Sequence, residues 1–123
     1  FIHAPKACAS VGPYSHCVKA GSTYYLCGQV PFHPVTGEVV GNGMKEQAVQ
    51  TLANMKAVLE AAGLAVTDIA KTTVFVTNMD DFAAFNEVYA AFMGEHRPAR
   101  VCVEVSNIAH GCLLEMDAIC FKE

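Results

Sequence analysis

Arg100 opens the apolar run Val101-Cys102-Val103-Glu104-Val105, directly after Pro98-Ala99. Lys and Arg together number only eight in 123 residues, so a guanidinium at the head of a core strand is unusual in this chain. The group keeps its proton in a protein, and burying it unpartnered is prohibitive. It must meet an anion. That anion is either a protein carboxylate (Glu104, Glu115 or Asp117) in a structural ion pair, or a ligand's. Alternation along the last strand points Glu115 the same way as Arg100, from what should be a hairpin neighbour. A carboxylate within reach of a guanidinium stays ionised. If the arginine holds a ligand, Glu115 can orient or deprotonate water. If it does not, the two close into a pair without chemistry, unless Asp117 takes the structural role and leaves Glu115 free.

Three weaker signals accompany this pair. Gly12-Pro13-Tyr14 is a stiff turn that delivers a phenol, either to a site or merely against the sheet. Cys27-Gly28-Gln29 interrupts a strand, and glycine there marks close approach of a ligand or second backbone, or a β-bulge. Asn86 borders the apolar face of a helix, where it contacts a ligand or ties down a loop.

The elements that must position these residues follow from periodicity. Residues His16 to Lys19 and Thr23 to Val30 form a strand pair through Ala20-Gly21. Ala48, Leu52, Met55, Leu59 and Ala62 recur at helical steps, predicting a helix over 45–62 with Gly63 as its stop. Thr72 to Thr77 is a β-branched strand. A second helix runs from the cap candidates Asn78–Asp81 to Met93, burying Phe82, Phe85, Tyr89 and Phe92, with Gly94 as the stop. Strands Arg100 to Val105 and Leu113 to Lys122 complete a β-β-α-β-α-β-β order. The helix between Thr72–Thr77 and Arg100–Val105 makes those strands parallel, and the remaining neighbours pair as hairpins in a mixed α/β (α+β) sheet. Two helices cover one face only. The expected covered face carries Val101, Val103 and Val105 with Leu114, Met116 and Ala118. The other mixes apolar residues with Arg100, Cys102, Glu104, Glu115 and Asp117, and suits a site between subunits.

Composition narrows the class of protein. The chain is 53% hydrophobic and 16% charged, with mean hydropathy +0.30. An average domain is roughly 25% charged, so this chain is too apolar for a small monomer wetted on every side. No apolar stretch approaches the roughly 18 residues of a membrane span. No secretory signal is visible, although a chain opening at Phe1 leaves a trimmed leader open. A homo-oligomer accounts for the excess apolar surface. Six cysteines show no C-x-x-C pair and the five histidines are scattered. They read as reduced core thiols in a reducing, cytoplasmic compartment, with no metal site. A net charge of −4 without a basic run makes nucleic acid an unfavourable partner.

The blocks together resemble the Rid family (YjgF, or endoribonuclease L-PSP), nearly end to end. The resemblance is carried by Gly12-Pro13-Tyr14, by Gly28-Gln29-Val30-Pro31 with Thr36-Gly37-Glu38, and by Asn54 with Ala61-Ala62-Gly63-Leu64. It continues through Lys71-Thr72-Thr73-Val74-Phe75-Val76, Phe85-Asn86 with Tyr89, Pro98-Ala99-Arg100 and Glu115-Met116-Asp117-Ala118-Ile119. It implies one domain over residues 1–123, a chorismate-mutase-like subunit, and a homotrimer with clefts between subunits. It also implies cofactor-independent hydrolysis of small 2-imino acids to 2-oxo acids and ammonia, as in 2-iminobutanoate/2-iminopropanoate deaminases. By the resemblance, Arg100 binds the substrate carboxylate and Glu115 orients the attacking water. Tyr14, Cys27, Gly28, Asn86 and Cys102 line the substrate. Cys27 departs from the family's usual Ser or Thr, the loop before Pro98 is shorter, and Arg97 replaces a frequent aromatic. A 2-oxo-acid-binding regulatory module is the alternative reading, and a ribonuclease is disfavoured by the charge balance and the lack of a catalytic His pair.

Overall fold

The computed structural model describes all of Phe1–Glu123. Five strands form one mixed sheet: β1 (Cys17–Ala20), β2 (Thr23–Gln29), β3 (Ile69–Val76), β4 (Ala99–Glu104) and β5 (Leu114–Phe121). Their spatial order is β1-β2-β5-β3-β4, antiparallel throughout except for the parallel pair β3–β4. The helices α1 (Met44–Ala61) and α2 (Phe82–Met93) pack on one face.

Local chemistry explains the element boundaries. Gly21 takes φ +63° in the β1–β2 turn, a backbone region that glycine enters without a Cβ penalty. α1 ends in a Schellman motif. The Leu64 N–H donates to the Leu59 carbonyl at 2.8 Å and the Gly63 N–H to that of Glu60 at 3.1 Å, with Gly63 at φ +74°. α2 buries Phe85, Tyr89 and Met93, while Phe82 and Phe92 remain half-buried at its flanks. Met55, Leu59, Phe85, Val74, Val76, Leu114 and Met116 form the centre of the core between helices and sheet. Each such large side chain contributes about 1.5–3 kcal/mol by leaving water.

Two sequence expectations are overturned. β4 and β5 are not a hairpin: β3 lies between them. Nine residues, Val105 through Leu113, join the two strands, ample length to step over a neighbour. The faces of β4 are also reversed. The register pairs Arg100 with Thr72 and Cys102 with Val74, and both partners are fully buried on the helix side. Val101 and Val103 instead lie on the open face, 44% and 40% exposed. β4 is an edge strand that α2 covers incompletely, so its two faces differ too little in burial for alternation to choose between them. On β5 the expectation holds: Leu114, Met116 and Ala118 are buried beneath the helices.

Candidate active site

Arg100 emerges on the helix side of the edge strand, beneath α2. Its Nη1 donates to Asn86 Oδ1 at 2.8 Å. The guanidinium carbon lies 4.8 Å from the Tyr89 ring centroid, 5.3 Å from that of Phe82 and 5.9 Å from that of Phe85. These rings offer their negative faces to the cation. Tyr89 is itself held by a 2.8 Å hydrogen bond between its hydroxyl and that of Thr72. No carboxylate reaches Arg100, the one ion pair of the chain being Lys45–Glu87. Glu104, a candidate partner from the sequence, is engaged elsewhere: its Oε1 accepts the Met79 N–H at 2.8 Å, just ahead of α2. A cavity of about 280 Å³ opens beside Arg100, bounded by Asn86, Tyr89, Ala90, Arg97 and Pro98. The guanidinium lines this opening with no carboxylate beside it.

Glu115 lies on the opposite face. β5 presents it to a cleft of about 400 Å³ that also takes in Tyr14, Cys27, Gly28, Cys8 and Phe32. β2 and β5 lose register between Leu26 and Gln29, a bulge that sets Gly28 against the Glu115 carboxylate. A Cβ at Gly28 would collide with the Glu115 carboxylate, which keeps its present position because residue 28 is glycine. Of the expected meanings of this glycine the bulge is realised, while what approaches it is a side-chain carboxylate and neither a ligand nor a second backbone. Burial pushes the Glu115 carboxyl above its ordinary value, and the neighbouring Asp117 charge raises it further. A carboxylate made more basic in this way is suited to take a proton from water.

The other site residues divide between the two faces. Tyr14 and Cys27 line the Glu115 cleft with Gly28. Burial, with the Glu115 charge among the smaller contributions, pushes the Cys27 thiol up to about 11, so it is a neutral thiol and not a nucleophile at physiological pH. Its sulfur accepts from Gln29 Nε2 at 3.1 Å. Asn86 and Cys102 stand with Arg100. Within one chain Arg100 and Glu115 therefore do not meet: they are two strands and three residues apart in register, roughly 14 Å at the backbone, and point to opposite sides. Asp117 likewise faces the Glu115 side, not Arg100.

Sequence reasoning missed the residues that build the cleft wall. His16 is buried, and its Nδ1 accepts the Ala4 N–H at 2.9 Å, which leaves Nε2–H to donate to the Cys8 carbonyl at 2.8 Å. This neutral tautomer fastens the N-terminal segment along the cleft. Asn54 donates to the carbonyls of Val30 and Phe32, both at 2.9 Å, and holds the loop after β2. Gln47 and Asn54 on the apolar face of α1 were a readable signal, because polar side chains there need partners.

The α+β chain thus carries two separate features, a half-buried guanidinium beside an opening beneath α2 and a desolvated carboxylate in a cleft on the opposite sheet face. Comparison with known proteins gives the family and the fold. The Endoribonuclease L-PSP family matches residues 3–122. A RutC family protein of Pyrococcus horikoshii is 49% identical over 98% of this chain and 94% of its own length. The 2-iminobutanoate/2-iminopropanoate deaminase of Escherichia coli K12 is 45% identical over 98% of this chain and 96% of its own. The crystal structure of E. coli TdcF with bound serine superposes with a TM-score of 0.93 at 42% identity, covering 99% of this chain and 98% of that one. The chain belongs to the Rid family, also called Endoribonuclease L-PSP. Its two-helix, five-stranded subunit is the fold of RidA and YjgF.

Proposed function

We propose that this protein hydrolyses small 2-imino acids to 2-oxo acids and ammonia, without a cofactor, in clefts between the subunits of a cytoplasmic homotrimer. The carrying observation is the separation of Arg100 and Glu115: each is prepared for a ligand, and neither can serve the other's ligand within one chain. A second copy removes the difficulty. The open sheet face exposes Tyr25, Val101, Val103 and Phe121, apolar surface suited to burial against a neighbour. In a closed ring every cleft then draws Arg100 from one subunit and Glu115 from the next.

The chemistry follows from the two groups. The guanidinium takes the substrate carboxylate with paired N–H donors. The protonated C=N carbon is already electrophilic, so what remains is to place water and receive its proton. Glu115 accepts that proton as the water oxygen bonds to carbon, and returns it to nitrogen as the carbinolamine forms and expels ammonia. As the C–N bond breaks, Glu115 takes the hydroxyl proton so that the carbonyl forms, passes it to the departing ammonia as ammonium, and ends ionised. Tyr14, Cys27 and Gly28 border the reacting centre, while Asn86 fixes the guanidinium. Support for an amino-acid-shaped occupant comes from the serine-bound relative, and for the reaction from the relative named as a deaminase.

The test generates 2-iminobutanoate with an amino-acid oxidase and follows its disappearance. Wild type accelerates the loss, Glu115→Gln is slower by about 10²–10⁴-fold as expected for a lost general base, and Arg100→Ala loses acceleration with it. No acceleration by wild type, or full activity in Arg100→Ala, overturns the reading. A regulatory binder of 2-oxo acids at the same receptor would show ligand affinity retained in Glu115→Gln and no turnover in wild type.

A further inference from the structure

Arg97 lines the same 280 Å³ cavity as Arg100, and none of the residues around that cavity is acidic. Arg97 Nη1 donates to the Gly94 and His96 carbonyls at the end of α2. That leaves Nε and Nη2 without protein partners. Arg100 is similar: only its Nη1 is engaged, by Asn86. The segment carrying Arg97 is braced. The His96 ring nitrogen Nε2 lies 2.7 Å from the Ile69 carbonyl, the His96 N–H reaches Met93, and Pro98 restricts the backbone that follows. Two of the eight Lys and Arg residues of an otherwise acidic protein therefore converge on one small opening. Two positive forks at one opening complement an anion with two negative ends better than an anion with one.

We propose that Arg97 adds a second carboxylate subsite to the Arg100 pocket, so that dicarboxylic 2-imino acids are preferred over monocarboxylic ones. The proposal rests on the reading that Arg100 holds the substrate carboxylate. In it, Arg100 takes the carboxylate next to the C=N carbon and Arg97 takes the one at the far end of the side chain. Because Arg97 is exposed, its contribution is screened by salt, whereas that of the half-buried Arg100 is screened less.

The test compares kcat/KM for the imines made in situ from glutamate and from 2-aminobutanoate, in wild type, Arg97→Gln and Arg97→Lys. Glutamine keeps a donor for the loop carbonyls and removes the charge, while lysine keeps the charge. The expected result is a dicarboxylate-to-monocarboxylate ratio above one in wild type that falls about tenfold in Arg97→Gln, survives in Arg97→Lys and shrinks with added salt. Competition by 2-oxoglutarate against 2-oxobutanoate should follow the same order, and gives a readout on wild type alone. A wild-type ratio below one, a ratio unmoved in Arg97→Gln, or an equal loss in Arg97→Lys overturns the subsite. If the monocarboxylic imine is consumed in an Arg100-dependent way in those cases, the imine hydrolase reading survives alone. If neither imine is consumed, both fall together.

Discussion

In the proposed reaction Glu115 must be ionised to take a proton from water, and its surroundings resist ionisation. Desolvation in the cleft is the larger cause and the Asp117 charge beside it the smaller, both raising its pKa. The acid limb of the activity profile should therefore lie above the range of an ordinary carboxylate. Asp117→Asn removes the repulsion but not the burial, so Glu115 stays ionised to lower pH and the acid limb of kcat/KM should move down. A limb that stays put or moves up would contradict this assignment. Two features of the candidate site stood out at this scale: a guanidinium after Pro98-Ala99 at the head of an apolar strand, and a glycine inside β2. The identity of what approaches was not visible, because the Glu115 carboxylate meets Gly28 only through the β2–β5 pairing and its bulge. The partners of Arg100 were hidden for a similar reason. Aromatic rings and an amide stand where acids were expected, brought there by the register of β3 with β4.

The helices were legible as elements because each carries a full apolar stripe at helical spacing and a glycine at its end. Strand order was not, since β5 inserts between β2 and β3 by contacts distant in sequence. The nine-residue connection after β4 was the available hint that a tight hairpin would not form. Elements position the cleft through buried polar ties, and Asn54 is the one to test. It is 1% exposed, and its amide satisfies two carbonyls of the loop after β2. Asn54→Ala strands those carbonyls, so unfolding in urea should show a loss of about 1–3 kcal/mol. An unchanged midpoint would mean that the loop finds other partners.

At the scale of the whole molecule, the excess of apolar residues and the shortage of charge now have a location. Val101, Val103, Tyr25 and Phe121 lie on the uncovered sheet face, together with Glu115 and Asp117. The sequence indicated an uncovered face but not that Arg100 lies on the other one, so the proposed site needs a second copy. The decisive measurement is complementation. Arg100→Ala and Glu115→Gln proteins, each inactive alone, are unfolded together, refolded as mixed assemblies and assayed for imine hydrolysis. In a cyclic assembly about a quarter of the clefts combine an intact Arg100 with an intact Glu115, so about a quarter of wild-type activity should return. No recovery in mixed assemblies of the correct size would contradict a site shared between subunits.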